Sequence, residues 1–135
     1  MMKDKRKYNW NVYSQFGEDG IIEYLLSNIP NKTKISVEFG MLDGKQCSNT
    51  FRLAREKNYT AYYIECDAVY YEQIKELSKE YNNIIPLNYM VGWEGENSLD
   101  NILESNGLTE REFDVLSVDI DGLDYKVWKE FKRYN

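Results

Sequence analysis

The spacing of apolar residues along the chain alternates between two periods, which predicts helices alternating with strands. Apolar side chains three and four positions apart over residues 21–29 predict a helix that ends at Pro30. Alternation over residues 35–39 predicts a strand that stops at Gly40. Further helices are predicted over residues 48–57, 68–81, from 97 or 98 onward, and 125–131, with one helical turn over 109–112; further strands are predicted over residues 60–65, 84–89 and 115–120.

This order of elements predicts an α/β protein. Strands that alternate with helices of about ten residues indicate a parallel sheet covered by helices on both faces. Pro86 lies within the third predicted strand, and a proline there is compatible only with a strand near the edge of the sheet. In such sheets the ligand binds beyond the carboxyl ends of the strands, where the strand order reverses.

Composition excludes several kinds of chemistry. The 135 residues include 23 acidic and 17 basic residues, two cysteines and no histidine. Without histidine there is no Ser-His-Asp or Cys-His pair and no imidazole metal ligand. The net charge of −6 argues against nucleic acid as a general partner. The two cysteines predict free thiols in a reducing, cytoplasmic compartment, and the basic residues 3–7 precede no apolar run that would indicate a signal peptide or a membrane span.

The loop after the first predicted strand combines glycines with carboxylates. Glu38 lies within the strand, and Gly40, Asp43 and Gly44 follow it. Glycines let a backbone turn sharply and pass close to a ligand. Because the loop is acidic and lacks a P-loop lysine, it suits a positively charged ligand such as an ammonium or a sulfonium better than a phosphate. The alternative is that both glycines only permit tight turns.

The second predicted strand ends in Glu65, 25 residues after Gly40. A carboxylate at this place can accept hydrogen bonds from both hydroxyls of a ribose, and the separation is near the roughly 20 residues found in nucleotide-binding βαβ units. The alternative is a solvated carboxylate in a loop.

Three aspartates lie within six residues at the end of the fourth predicted strand: Asp119, Asp121 and Asp124. They repel one another unless a positive group lies between them. Asp119 is predicted to line a ligand cleft. An Asp-x-Asp pair that holds a divalent ion, as in nucleotide-sugar transferases, and a set of turn and helix-capping residues are the two alternatives.

Four segments, taken in this order, resemble the FkbM-type S-adenosylmethionine-dependent methyltransferases. The resemblance covers residues 13–131 approximately. The segments are Tyr13-Ser14-Gln15-Phe16-Gly17-Glu18-Asp19-Gly20; Val37-Glu38-Phe39-Gly40 with Asp43-Gly44 and Ser48-Asn49-Thr50; Ile64-Glu65; and Phe113-Asp114-Val115-Leu116-Ser117-Val118-Asp119-Ile120-Asp121-Gly122.

The resemblance implies a Rossmann-like methyltransferase fold, with strand order 3-2-1-4, in a single domain over residues 13–135 that follows a polar lead-in over residues 1–12. It also implies that S-adenosylmethionine binds at the carboxyl ends of the strands. By position, Glu38, Gly40, Asp43 and Gly44 would face the methionine part, Glu65 the ribose, Asn88 and Tyr89 the adenine, and Asp119 the methyl-transfer cleft, while Gln15, Glu18 and Asp19 would cover the cofactor.

The implied activity is O-methylation of a hydroxyl on a sugar or another small molecule, without a metal ion. Asp121 or Asp124 is the candidate base, because a carboxylate can take the proton of a hydroxyl acceptor. The alternative is a non-catalytic cofactor-binding or interaction module derived from the family. The family's sheet continues beyond its fourth strand, so we expect that strand to form an open edge here, in a truncated chain or in one covered by a second copy.

Overall fold

The structure, a computed structural model, describes residues 5–134 and contains one parallel sheet of four strands with helices on both faces. The predicted α/β class and the strand order β3-β2-β1-β4 are confirmed. The elements are a 3-10 helix (Lys5–Tyr8), α1 (Glu18–Ser27), β1 (Ile35–Phe39), α2 (Phe51–Lys57), β2 (Thr60–Ile64), α3 (Ala68–Glu80), β3 (Ile84–Leu87), a 3-10 turn (Gly95–Asn97), α4 (Leu99–Ser105), β4 (Val115–Val118) and α5 (Asp124–Glu130). Pro86 lies in β3, an outer strand, as predicted.

Each face of the sheet has its own apolar core, because successive side chains of a strand point to opposite faces. Val37 and Phe39 of β1 belong to the core that includes α4 and Val127 of α5. On the opposite face, Tyr63 of β2 packs with Phe51 of α2 and with residues of α3. Helix α1 adjoins α2 on that second face through a smaller cluster beside β4.

The predicted strands β2, β3 and β4 end one or two residues earlier in the structure, which leaves Glu65, Asn88 and Asp119 just beyond the sheet. Helix α2 begins at Phe51 rather than at residue 48. The helical turn predicted over residues 109–112 is wrong. Leu108 and Phe113 on either side of that segment are both anchored in the core, and the residues between them are mostly exposed.

The segment before α1 is packed against the domain from Tyr8 onward. The Tyr8 ring stacks on Tyr24 of α1, and the Gly20 amide donates to the Trp10 carbonyl at 3.0 Å. The part of the predicted polar lead-in that comprises residues 1–4 lies outside the described residues. None of the helices within residues 5–134 combines the length and the hydrophobicity that crossing a membrane requires.

Candidate functional site

The first residue after each strand contributes to one row along the carboxyl edge of the sheet. Phe39 is in register with Ile64 on one side and with Val118 on the other, and Ile64 is in register with Leu87. The next residues along the four chains therefore follow one another across the edge in the order Asn88, Glu65, Gly40, Asp119. The strand order reverses between β1 and β4, so this row includes the position where α/β sheets bind their ligands.

Gly40 is the residue at which the backbone after β1 comes very close to the backbone after β4. Its φ is 81°, and a Cβ atom at this position would lie 1.7 Å from the carbonyl oxygen of Asp119. No side chain fits there, because real Cβ contacts are much longer. The β1 and β4 ends consequently meet as bare backbone beside Glu65 and Asp119, and the requirement for glycine is steric as well as conformational.

Glu65 is a buried carboxylate whose Oε1 accepts a hydrogen bond from the amide of Asp67 at 2.9 Å. The Asn88 Nδ2 donates to the Glu65 backbone carbonyl at 2.7 Å, which ties the ends of β2 and β3 together. Tyr89 is half-buried, and its hydroxyl accepts a hydrogen bond from Asn106 at 3.1 Å. Asn88 thus lies beside Glu65 on the β3 side, the side to which the resemblance assigns the adenine, whereas the Tyr89 hydroxyl contacts the residue that follows α4.

Glu38 occupies a different position from the one that the resemblance implies. Its side chain is only 2% exposed and points into the α2 face of the sheet. Hydroxyl and amide donors surround both carboxylate oxygens: Ser48 Oγ (2.7 Å), Asn49 N (2.8 Å), Thr50 N (3.2 Å), Thr50 Oγ1 (2.6 Å) and Ser117 Oγ (3.3 Å). Glu38 therefore holds the segment that leads into α2 and does not face open space.

No basic side chain forms an ion pair with Glu38 among the described residues. Burial raises the pKa of the Glu38 carboxyl above its usual range, although the hydrogen bonds from Thr50, Asn49 and Ser48 act in the opposite direction. Burial also raises the pKa of Tyr63, whose hydroxyl lies 3.4 Å from Ser48 Oγ and Thr50 Oγ1. A buried polar cluster, made of these hydroxyl groups and the Glu38 carboxyl, therefore adjoins the site.

Asp43 and Gly44 shape the loop between β1 and α2. The Asp43 Oδ1 accepts hydrogen bonds from the amides of Lys45 and Gln46, both at 2.9 Å, which is an Asx turn. Gly44 has a φ of 78° and is buried against Tyr63 and α3. Gly44 thus packs the loop onto the domain, whereas the side chain of Asp43 is partly exposed.

The three aspartates after β4 differ in their surroundings. Partial burial, followed by repulsion from Asp121 and Asp124, raises the pKa of Asp119. The Asp124 Oδ1 accepts the Ile120 amide at 2.6 Å and so closes the turn before α5. Asp121 is exposed, has a φ of 51°, and precedes Gly122 at 108°. Asp124 is thus engaged by the backbone, whereas the Asp121 carboxylate has no hydrogen-bond partner within the described residues.

The segment before α1 lies against the loop that follows β1. The Cys47 amide donates to the Tyr13 carbonyl at 2.9 Å, and the Gln15 amide contacts the sulfur of Cys47. Glu18 accepts the Phe16 amide at 2.7 Å. Gln15 therefore lies against the β1–α2 loop, and Glu18 is the first residue of α1.

Asp19 acts from inside this segment, because its side chain is only 3% exposed. One oxygen, Oδ2, accepts the amides of Val12, Tyr13 and Ser14 at 2.7–2.9 Å and the Ser14 hydroxyl at 3.0 Å. The other oxygen is buried without a hydrogen-bond partner among the described residues. Asp19 thus folds the covering segment and does not face a ligand directly.

We expect Asp19→Asn to destabilise the protein by about 1–3 kcal/mol at pH 7, because charge-assisted bonds are lost and a buried amide donor is left unpaired. Burial alone raises the pKa of Asp19, but the hydrogen bonds from Ser14, Tyr13 and Val12 outweigh it and lower the pKa overall. The stability that this carboxylate contributes is therefore present above the usual aspartate range and is lost as the pH falls through the lowered value.

Urea unfolding at pH 7 and at about pH 3 measures the loss of stability and its pH dependence. The difference in unfolding free energy between wild type and Asp19→Asn should be smaller at the lower pH. Glu94→Gln, which removes one charge from an exposed position, is the control and should change little at either pH. A gap of equal size at the two pH values would show that the Asp19 charge contributes nothing.

Two residues that sequence reasoning did not select also belong to this edge. Asn49 donates from Nδ2 to Ser117 Oγ at 3.0 Å, and so joins the segment before α2 to β4. Ser117 in turn donates to Glu38 at 3.3 Å. The signal in the sequence was the run Ser48-Asn49-Thr50 ahead of a helix, which is typical of capping residues but does not indicate a partner on a distant strand.

Within residues 5–134, no three acidic or cysteine side chains converge as ligands for a metal ion. No protein-family model matches the chain, and no curated protein matches it with significance. The family therefore remains a prediction that rests on the motifs quoted above.

Proposed function

We propose that the chain binds S-adenosylmethionine at the row Asn88, Glu65, Gly40, Asp119 and serves methyl transfer to a hydroxyl of a sugar or small molecule. One observation carries the proposal: the sheet places Glu65 and Asp119 on either side of the bare Gly40 backbone, at the point where the strand order reverses. This is a cradle for a ligand that has a diol and positive charge.

The residues present fit that cofactor in their chemistry. Glu65 offers a buried carboxylate to the two ribose hydroxyls, and each such bond is worth about 1.5–3 kcal/mol. The acidic end of β4 favours a cation, because a positive neighbour opposes both the desolvation and the repulsion from Asp121 and Asp124 that raise the pKa of Asp119. Gly40 lets the ends of β1 and β4 meet, which brings Asp119 next to it on one side while Glu65 follows β2 on the other. When bound, the cofactor supplies a methyl group that its sulfonium charge has activated.

The remaining work of the chain is alignment and removal of one proton. Asp121 is our candidate for the base, because its carboxylate is exposed beside Asp119, whereas that of Asp124 already accepts the Ile120 amide. A positioned base contributes typically about 10²–10⁴-fold to such a reaction. Glu38 positions Asn49 and Ser117 from below, and Gln15 and Glu18 cover the site from the N-terminal side. The exposed free thiols of Cys47 and Cys66 support a reducing, cytoplasmic compartment.

We expect Glu65→Gln to weaken the binding of S-adenosylmethionine and of its demethylated product by about 10–100-fold. The glutamine keeps an acceptor for the Asp67 amide but removes the charge that the ribose hydroxyls require. Isothermal titration calorimetry measures the affinities, and Glu72→Gln on the exposed side of α3 is the matched control.

Absence of binding to the wild type at millimolar cofactor would refute the proposal, and so would an affinity unaffected by Glu65→Gln. Transfer of a labelled methyl group to a panel of glycans and small hydroxyl compounds separates the two forms of the proposal. Binding together with transfer that Asp121→Asn abolishes identifies the enzyme, whereas binding without transfer to any acceptor identifies the non-catalytic cofactor-binding module.

A further inference from the structure

The outer edge of β4 is bordered by exposed apolar side chains on both faces of the sheet. Within the described residues β4 pairs with β1 alone, and all four of its residues are half-exposed. On one face, Leu116 and Val118 line a hollow together with Tyr125 and Trp128 of α5. These two aromatic residues are 67% and 61% exposed. Such a surface is unusual for a monomer, because an open edge strand and an exposed apolar patch both favour association.

Helix α1 contributes a second apolar patch on the opposite face. Its inner residues Ile22 and Leu26 belong to the cluster that touches Val115 of β4, so α1 lies along this side of the sheet. Its outer residues include Ile21 and Leu25, which are 41% and 56% exposed, and Ile29 follows at 41%. These three residues recur every four positions and form one ridge, which we call the α1 ridge.

We infer that this edge binds a second copy of the chain, with the two β4 strands antiparallel around a two-fold axis perpendicular to the sheet. Such an axis keeps the faces of the sheet distinct. The α1 ridge of one copy therefore meets the α1 ridge of the other on one face, and the aromatic pairs of the two α5 helices meet on the opposite face. A second copy thus covers all three exposed features at once, as an isologous interface requires.

The same symmetry restricts the register of the two strands. Opposed residues in an antiparallel pair point to the same face, and the axis preserves faces, so each residue must oppose one an even number of positions away. The registers are therefore centred on Leu116 or on Ser117. In the Ser117 register Leu116 opposes Val118 of the other copy, which matches apolar with apolar. In neither register do Asp114 and Asp119, at the two ends of β4, oppose each other.

The area also suffices for a specific dimer. Five exposed apolar side chains border this edge, Ile21, Leu25, Ile29, Tyr125 and Trp128, and together they expose on the order of 600 Å². The strand edge adds to this, and a standard interface buries about 800 Å² per partner. The eight-stranded sheet that results has β3 at both of its outer edges, and the assembly ends at two copies because each copy contributes its β4 edge to the same interface. This inference is independent of the proposed methyl transfer.

Sedimentation equilibrium of the full chain between about 1 and 200 μM tests the inference. We expect a species of twice the 16.1 kDa chain mass that dissociates on dilution. Trp128→Lys on one face and Leu25→Lys on the other should each weaken the dimer at least 10-fold. Val69→Lys, at an exposed apolar residue of α3 on the far side of the sheet, should leave it unchanged. Circular dichroism confirms that the variants fold.

A wild type that remains at the monomer mass over the whole range would overturn the inference. A dimer that neither lysine substitution weakens would do the same, since it would use another surface. Growth into open-ended oligomers would also contradict it, because an isologous interface closes at two copies.

Discussion

Replacing Gly40 with alanine is expected to destabilise the protein by about 4 kcal/mol or more and to abolish the proposed binding of S-adenosylmethionine. The added Cβ atom would lie 1.7 Å from the Asp119 carbonyl oxygen, and residue 40 would also have to keep a φ of 81°. Backbone atoms cannot give way as the end of a flexible side chain does, so the β1 and β4 ends must separate. That separation moves Asp119 away from Glu65.

Gly107→Ala is the matched control for this prediction. Gly107 also has a positive φ, 93°, but no atom beyond Gly107 and its two chain neighbours lies within 4 Å of the position that its Cβ would occupy. It therefore experiences only the conformational penalty, about 1–2 kcal/mol. Urea unfolding of both variants, together with calorimetry, separates the two contributions. Equal losses of stability at the two positions would show that the close approach at Gly40 does not hold the strand ends together.

Replacing Glu38 with leucine is expected to cost about 3–5 kcal/mol. The leucine would leave the hydroxyls of Ser48, Thr50 and Ser117 and the amides that now bind the carboxylate buried without an acceptor. Unfolding in urea measures this loss, with the exposed Glu112→Leu as the control. A cost below about 1 kcal/mol would show that the network contributes little to stability.

The pH dependence of Glu38→Gln tests the same carboxyl in a second way. Burial raises the pKa of Glu38, so its favourable contribution is complete below the usual glutamate range and is lost as the pH rises through the raised value. The stability of the wild type relative to Glu38→Gln should therefore fall as the pH increases above that range. This pH dependence is opposite to the one expected for Asp19. A stability difference between wild type and Glu38→Gln that stays constant with pH would contradict a raised pKa of Glu38.

Periodicity was sufficient to predict the elements whose pattern comes from one buried face. The strand over residues 35–39 has its predicted bounds, because its alternating apolar residues Ile35, Val37 and Phe39 all face the same core. The beginning of α2 could not be predicted in this way. Ser48, Asn49 and Thr50 have helix-capping character, but Glu38 binds their donors and the helix starts only at Phe51.

The sequence also predicts some positions in the candidate site and not others. The carboxylates Glu65 and Asp119 could be placed from their positions after strands, since parallel strands share one carboxyl edge. The roles of Glu38 and Asp19 depend on which donors the tertiary structure brings to them. Glu38 receives Ser117 from 79 residues away, and Asp19 receives three successive amides of a non-helical segment. Neither arrangement has a local signature in the sequence.

The position of β4 in the sheet also affects the order in which the chain can fold. The neighbours β1, β2 and β3 are joined by short crossovers, whereas β4 must pair with β1 across about 80 residues, and distant contacts form more slowly because closing a long loop costs entropy. The first three strands can therefore assemble before β4 docks. Because Ser117 lies in β4 and Asp119 directly follows it, the candidate site forms only after this last step. A ligand that bridges Glu65 and Asp119 should therefore slow amide hydrogen exchange in β4 more than in β2.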